Sequence, residues 1–284
     1  MLLPDFSRRP GAVALDLDGT LLNSRGELST RNRQAIEQCL NEKIPVIIAT
    51  SRARHAFFNR IFPQELAAGC SLVIMNGAIA MGNPPLSGYF KEAMPPDIAR
   101  GIVALAVEFN PDIRITLELE GYEFGASWTT DPATLWQRNS ATPDMVLSIE
   151  EALLRQPCKI ALSGPGTDIL KLADRLIYSF GENISVIPGL LDNPMLNITT
   201  RQASKPNGLR KLLAPVGISL KEVIAFGDDI PDIGMLKECG ISVAVANALP
   251  EVKCVCGYHT ASNDEDGVAL VLEKMLGIAG NRPG

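Results

Sequence analysis

Two acidic turns hold the side chains best suited to chemistry. The first, Asp16-Leu17-Asp18-Gly19-Thr20-Leu21, closes the apolar run VALDL (13–17). The second, Gly227-Asp228-Asp229-Ile230-Pro231-Asp232, closes VIAFG (223–227). Alternate residues of a strand share a face, so Asp16 and Asp18 lie together, and a turn at Gly19 lets both face the crevice beyond the strand's carboxyl end. Carboxylates gathered this way repel one another unless a hard cation or a shared proton offsets them. If the two strands are neighbours, Asp16, Asp18 and Asp228 surround a hole of Mg2+ size. Oxygen-only ligation suits Mg2+, which keeps waters and adds a phosphate oxygen.

Other chemistries lack their parts. Only His55 and His259 are present, so a His-rich metal site is excluded, and no G-x-S-x-G elbow accompanies either for a nucleophilic triad. A Walker A loop is absent. The six cysteines (39, 70, 158, 239, 254 and 256) read as reduced thiols in apolar stretches, and Cys254-Val-Cys256 lacks zinc partners beyond His259. His55 reads as structural. Gly164-Pro165-Gly166 lacks the third glycine of a dinucleotide loop and reads as a turn. Chemistry therefore rests on carboxylates, lysine and hydroxyls.

The elements that must position these groups follow a β-α-β-α rhythm. Runs at 13–17, 45–50, 72–76, 223–227 and 241–246 are short, apolar and unalternating, as strands covered on both faces are. Helical patterns cover 30–43, capped by Ser29, then 205–214, 231–239 and 267–277. This predicts a doubly wound parallel α/β domain. The middle differs: residues 113–119 alternate as a half-exposed antiparallel strand does, prolines punctuate the region, and 159–180 reads as strand, turn and helix. The expected organisation is a core of residues 1–85 and 190–284 with an α+β insert at 86–189.

Composition narrows the partners. The 284 residues are 46% hydrophobic, enough for a full core, and the net charge of −6 disfavours sequence-independent nucleic-acid binding. The opening MLLPDFSRRP does not read as a secretory leader, and no apolar run approaches the roughly 20 residues that span a bilayer. A soluble cytoplasmic protein, monomer or homodimer, without membrane or nucleic-acid partners is expected.

The motifs in order resemble the haloacid dehalogenase (HAD) superfamily, and within it the Cof-type (subclass IIB) phosphatases, across essentially the whole chain. Asp16 to Leu21 meet D-x-D-G-T-[LV] in full. Thr50-Ser51-Arg52 stands for T-G-R, and Asn76-Gly77-Ala78 for the N-G-A after the third strand. Lys205 with Gly208-Leu209 matches K-x-x-[GA]-L. Gly227, Asp228 and Asp232 match G-D-x-x-N-D, and Ala246-Asn247-Ala248 and Ser262 to Val268 match the tail. Two positions depart. Ser51 adds a side chain where the branch has glycine, and Pro231 replaces an asparagine that helps position metal waters or substrate.

The resemblance implies a HAD core with an inserted C2-type cap and Mg2+-dependent hydrolysis of small phosphate monoesters, foremost sugar phosphates, through an aspartyl-phosphate. Alternatives are a specialised pyridoxal-phosphate or phosphoglycoside phosphatase, or a phosphate-binding regulatory protein with weak catalysis. It implies Asp16 as nucleophile, Asp18 as general acid and base, Thr50 and Lys205 as further catalytic groups, and Ser51, Asn76, Gly77 and Asn247 near substrate phosphate. Mg2+ is expected on Asp16, the Asp18 main-chain carbonyl and Asp228, with Asp232 in support. The insert is large enough to roof the site and set specificity. Glu118, Glu120, Tyr122 and Trp128 could line a sugar pocket, with insert surface or core as their alternative.

Overall fold

The computed structural model of the chain describes residues 1–58, 62–164, 167–189 and 194–278. Pro165 and Gly166 of the glycine-proline turn, and Leu190 at the expected return to the core, lie outside the described residues. Each predicted apolar run forms a strand: β1 (Ala12–Leu15), β2 (Val46–Ala49), β3 (Ser71–Ile74), β12 (Val223–Gly227) and β13 (Ile241–Ala244). With β4 (Ile79–Met81), β5 (Tyr89–Lys91) and β14 (Tyr258–His259) they make a sheet ordered β14-β13-β12-β1-β2-β3-β4-β5. Pairing is parallel from β14 to β3, as the two-sided burial predicts, and every residue of β1, β2 and β3 is buried. The antiparallel β4 is an addition to the expected sheet. The chain reverses into it through Met75, Asn76 and Gly77, all at positive φ, a turn too short to show in periodicity.

Helices α1 (Thr30–Asn41), α3 (Gln64–Gly69), α8 (Lys205–Leu213), α9 (Ile233–Glu238), α10 (Pro250–Val255) and α11 (Gly267–Leu276) belong with this sheet. Ser29 caps α1, accepting from the Asn32 amide. Asn32 is fully buried yet satisfied: its Nδ2 donates to the Leu21 carbonyl and its Oδ1 accepts from the Ala269 amide. It ties α1 and α11 to the first acidic turn. On α8, Leu209, Leu212 and Leu213 are fully buried, each contributing about 1.5–3 kcal/mol of apolar burial.

A second sheet is ordered β10-β11-β9-β6-β7-β8, from β6 (Arg114–Glu118), β7 (Phe124–Ala126), β8 (Val146–Leu147), β9 (Lys159–Ser163), β10 (Ile184–Gly189) and β11 (Met195–Thr200). Helices α4 (Pro96–Phe109), α5 (Pro132–Asn139), α6 (Ile149–Leu154) and α7 (Ile169–Phe180) accompany it. Ile115, Leu117, Ile160, Leu162, Leu196 and Ile198 share one face and join the apolar side of α4 and α7 in one core. Alternation puts Thr116, Glu118 and Lys159 on the other face. β6 is antiparallel as predicted, but its polar face is not simply solvated, since Glu118 is 8% exposed.

Contacts divide the chain into two compact units: Met1–Ser51, Ile61–Phe90 and Ser204–Gly284 in one, Arg52–Arg60 and Lys91–Ala203 in the other. Hydrogen-bonded pairing of β10 with β11 carries the inserted unit to Ala203, beyond the 189 read from sequence. Helix α2 (Arg54–Phe58) groups with the insert although the core chain carries it.

Candidate active site

β1 and β12 are parallel neighbours, with Leu15 opposite Phe226, so the two acidic turns leave adjacent strands at the same edge. The carboxylates brought together are those of Asp16, Asp228 and Asp232, whose ligand atoms lie within 4.8 Å of one another. The half-buried Asp18 carboxylate stands outside this trio, which corrects the expectation from spacing alone. The regular strand ends at Leu15, and Asp18 sits in a tight turn leading to Gly19 at φ +78°, so strand alternation no longer aims its side chain.

Gly19 is required sterically as well as by its φ. A Cβ there would lie 2.4 Å from Oδ2 of Asp228, so the second acidic turn packs directly on the first. Thr20 donates from Oγ1 to Asp228 Oδ1 at 2.7 Å. Nothing in its spacing singled out this threonine, although it belongs to the same motif.

Lys205 bridges the trio. Its Nζ donates to Asp16 Oδ1 at 2.6 Å and to Asp232 Oδ1 at 2.5 Å, and all three residues are buried. Asp232 Oδ2 accepts from the amides of Asp228 and Asp229. Both Asp232 oxygens are thus engaged, one organising the acidic turn and one holding the lysine. Pro231 fits early in this turn, where no main-chain donor is called upon, and the Asp232 amide still closes the turn on the Asp229 carbonyl.

Lys205 is held where it is by close backbone packing. It opens α8, capped by Ser204, whose side chain accepts from the Asn207 amide. Gly77, at φ +97°, lies against Ser204 so closely that a Cβ would sit 2.1 Å from the Ser204 carbonyl oxygen. A Cβ on Gly208 would meet Val73 of β3 at 2.6 Å. The two glycines therefore seat α8 on β3 and the turn that follows.

Thr50, fully buried at the end of β2, donates its amide to the Val73 carbonyl, and its carbonyl accepts from the Asn76 amide. Asn76 is buried in the left-handed conformation, and its Oδ1 has no hydrogen-bond partner among the described residues. Ser51 is half-buried beside Thr50. Asn247 Nδ2 donates to the Gly19 carbonyl at 2.7 Å, and its Oδ1 accepts from the Asn263 amide. It braces the first acidic turn.

The electrostatics are those of a cation hole. Burial and the charges of Asp232 and Asp228 hold the Asp16 carboxyl well above the usual range, against the pull of Lys205. Burial, with Asp232 and Asp229, pushes Asp228 up to about 6, against the hydrogen bond from Thr20. Burial alone would discharge Lys205, but Asp16 and Asp232 outweigh it and hold it charged. One lysine among three carboxylates leaves excess negative charge. The donors are all oxygens, and Oδ2 of Asp16 and Oδ2 of Asp228 remain to turn toward a hard divalent ion. The residues fit a metal of that kind.

The insert residues weighed as pocket lining are placed as follows. Glu118 pairs with His55, Glu120 forms an ion pair with Lys91, Trp128 donates from Nε1 to Thr116, and Tyr122 stacks under Arg54. The cysteines are free thiols. Among the described residues, Cys254 and Cys256 do not join His259 in a metal cluster, and His259 Nε2 faces the Lys253 carbonyl instead.

A doubly wound sheet with an acidic, lysine-bridged crevice and an α+β insert defines a class of hydrolase. Residues 13–272 match the haloacid dehalogenase-like hydrolase family, and the chain belongs to it, as a phosphatase of the Cof type. It is 27% identical over 302 residues to the phosphatase YwpJ of Bacillus subtilis, covering 93% of this chain and 99% of that one. It is 24% identical over 272 residues to 5-amino-6-(5-phospho-D-ribitylamino)uracil phosphatase YitU of the same organism, covering 95% and 99%. A haloacid dehalogenase-like hydrolase from Bacteroides thetaiotaomicron superposes with a TM-score of 0.79 at 25% identity, covering 94% of this chain and all of that one. No helix among the described residues is long and apolar enough to cross a membrane.

Proposed function

We propose that the chain hydrolyses small phosphate monoesters, foremost phosphorylated sugars or sugar alcohols, with Mg2+ and an aspartyl-phosphate intermediate. The observation that carries this reading is Lys205 held between Asp16 and Asp232, with Asp228 completing a buried oxygen cluster. The relative that acts on a ribityl phosphate supports the substrate class. Mg2+ bound by Asp16, the Asp18 carbonyl and Asp228 would supply positive charge to an ester carrying about two negative charges.

The chain's own residues do the rest. An Asp16 carboxylate oxygen attacks phosphorus, and the ester P–O bond breaks as Asp18 gives its proton to the departing alkoxide. Water then attacks the aspartyl-phosphate, Asp18 takes the water's proton, and inorganic phosphate and the Asp16 carboxylate are regenerated. Lys205 offsets charge on Asp16 and the transferring group, while Thr50, Ser51 and the Gly77 region offer donors to phosphate oxygens. Asn76 Oδ1, buried and without a partner among the described residues, can accept from a substrate hydroxyl. Asn247 acts through Gly19. The insert supplies specificity, and the charge balance and substrate size disfavour nucleic acid as a partner.

Turnover of para-nitrophenyl phosphate with Mg2+ tests the activity, and a panel of phosphorylated metabolites ranks the substrates. Phosphate release from none of them would overturn the reading.

A further inference from the structure

The chain leaves Thr50 toward the insert, and one side chain of the next few residues ties it down. Ser51 is the last residue grouped with the core there, and Arg52–Arg60 group with the insert. His55 is 4% exposed and meets two acceptors at once: Nδ1 lies 2.8 Å from the Asn139 carbonyl oxygen and Nε2 lies 3.1 Å from Glu118 Oε2. A neutral imidazole carries one N–H and satisfies one acceptor, whereas the imidazolium satisfies both. The geometry therefore selects the charged ring. The ring also stacks on Phe124, with centroids 5.0 Å apart and planes at 27°.

The groups facing this contact come from every neighbouring element. Glu118 is on β6, and Lys159, its partner in register on β9, is also buried. The carbonyl of Asn139 ends α5, and Phe124 is on β7. On the same segment, Arg52 acts on Lys159 through its charge, and Arg54 lies over the rings of Phe58 and Tyr122 at 5.7 and 5.4 Å. Burial opposes charge on His55, but the bond and charge of Glu118 outweigh it and raise the imidazolium above its ordinary range. Burial likewise opposes ionisation of Glu118, and the His55 bond outweighs it and lowers the carboxyl. Both directions agree with the contact geometry.

We propose that His55 is a positioning residue for the phosphate-gripping Thr50 and Ser51, acting by fixing the segment that follows them through its bonds to Glu118 and Asn139. Thr50 is already fixed, by its own amide on Val73 and the Asn76 amide on its carbonyl. The loop is therefore held at both ends, and the second anchor is titratable. The raised imidazolium is charged below its ordinary value of 6.5 and loses its proton as pH rises through its higher folded value, so the anchor weakens toward alkaline pH. The proposal rests on the phosphatase reading given above for what the loop does.

The test uses the full chain with His55→Gln, which can satisfy one acceptor as neutral histidine does, and His55→Phe. Michaelis parameters for para-nitrophenyl phosphate are taken from pH 6 to 9, with hydrogen exchange of residues 48–58 alongside. His55→Gln is expected to raise KM roughly tenfold at pH 6, since misplacing a binding group by about 1 Å costs up to about 100-fold, while kcat changes less. Its KM relative to wild type should fall toward one by pH 9, and its exchange over 50–58 should be faster at pH 6. A KM ratio that stays at one, or stays constant with pH, in a folded His55→Gln protein overturns the proposal. If the wild type turns over no ester, the phosphatase reading fails, and unchanged exchange in His55→Gln would separately overturn the anchor. His55→Phe, where it folds, should match His55→Gln at pH 6 or exceed it.

Discussion

The core crevice and the inserted sheet both bury charge, but they balance it differently. In the crevice one lysine serves three carboxylates, and the acids are pushed up: Asp16 well above its range and Asp228 to about 6. In the insert, one buried carboxylate, Glu118, is met by the insert's own cations, His55 bonded to it and buried Lys159 opposite it in register, with the His55 base raised and the acid lowered. A buried carboxylate met by its own cations holds structure in place, whereas an acidic cluster in excess of its one cation calls for something from outside. The difference separates a crevice whose excess negative charge a bound cation would offset from a contact balanced by the residues around it.

The contrast breaks most completely at Asp16. Asp16→Asn should lower kcat for phosphate esters at least about 100-fold, because a neutral amide cannot form the acyl-phosphate. Circular dichroism should show the fold kept. Retention of more than about 1% of the wild-type rate would contradict covalent catalysis.

Removing the lysine of the crevice should act on stability. Lys205→Met leaves Asp16 and Asp232 buried without their cation, so urea unfolding with chelator present should show a loss of about 3–5 kcal/mol, discounted by any protonation of the acids. In contrast, Gly77→Ala leaves every charge in place. It should still lose at least about 1 kcal/mol and slow turnover, because the methyl group meets the Ser204 backbone next to Lys205 at an unfavourable φ.

Thr20→Val sharpens the comparison with the smallest change. It removes the hydrogen bond that holds Asp228 down, at a cost of about 1 kcal/mol. Without it the Asp228 pKa rises further, and the acidic limb of the pH–rate profile should move to higher pH. An unmoved limb would show that Asp228 does not govern it.

Much of the core was legible because its strands are buried on both faces and its motifs are contiguous. VIAFG matched β12 residue for residue, and Ser29 capped the helix it was expected to cap. The adjacency of β1 and β12, on which the cation hole depended, was conditional in the sequence and is met by their register. Asp232 was legible only through the resemblance, which put it in support of the metal; that its carboxylate completes the trio in which strand alternation had put Asp18 depends on how the turn from Asp228 to Asp232 folds back on itself. The antiparallel β4 was hidden for a related reason, since its 3 residues are too few for a period. His55 was read as structural, and its burial agrees. Its partners Glu118 and Asn139 are 63 and 84 residues away, a separation no local pattern records. Asn247 carried a motif signal, yet its bond to the Gly19 carbonyl emerges only in three dimensions.

If the unmatched acids of the crevice serve a divalent cation, the metal should respond to their charge. Asp228 ionises near pH 6, and a cation binds the ionised form, so Mg2+ should raise the melting temperature more at pH 7.5 than at pH 5. The most direct measurement is ester turnover after exhaustive chelation with EDTA at pH 7.5, followed by addition of excess Mg2+. Turnover should vanish with the chelator and return with Mg2+; turnover unchanged by thorough chelation would contradict a crevice built around a cation.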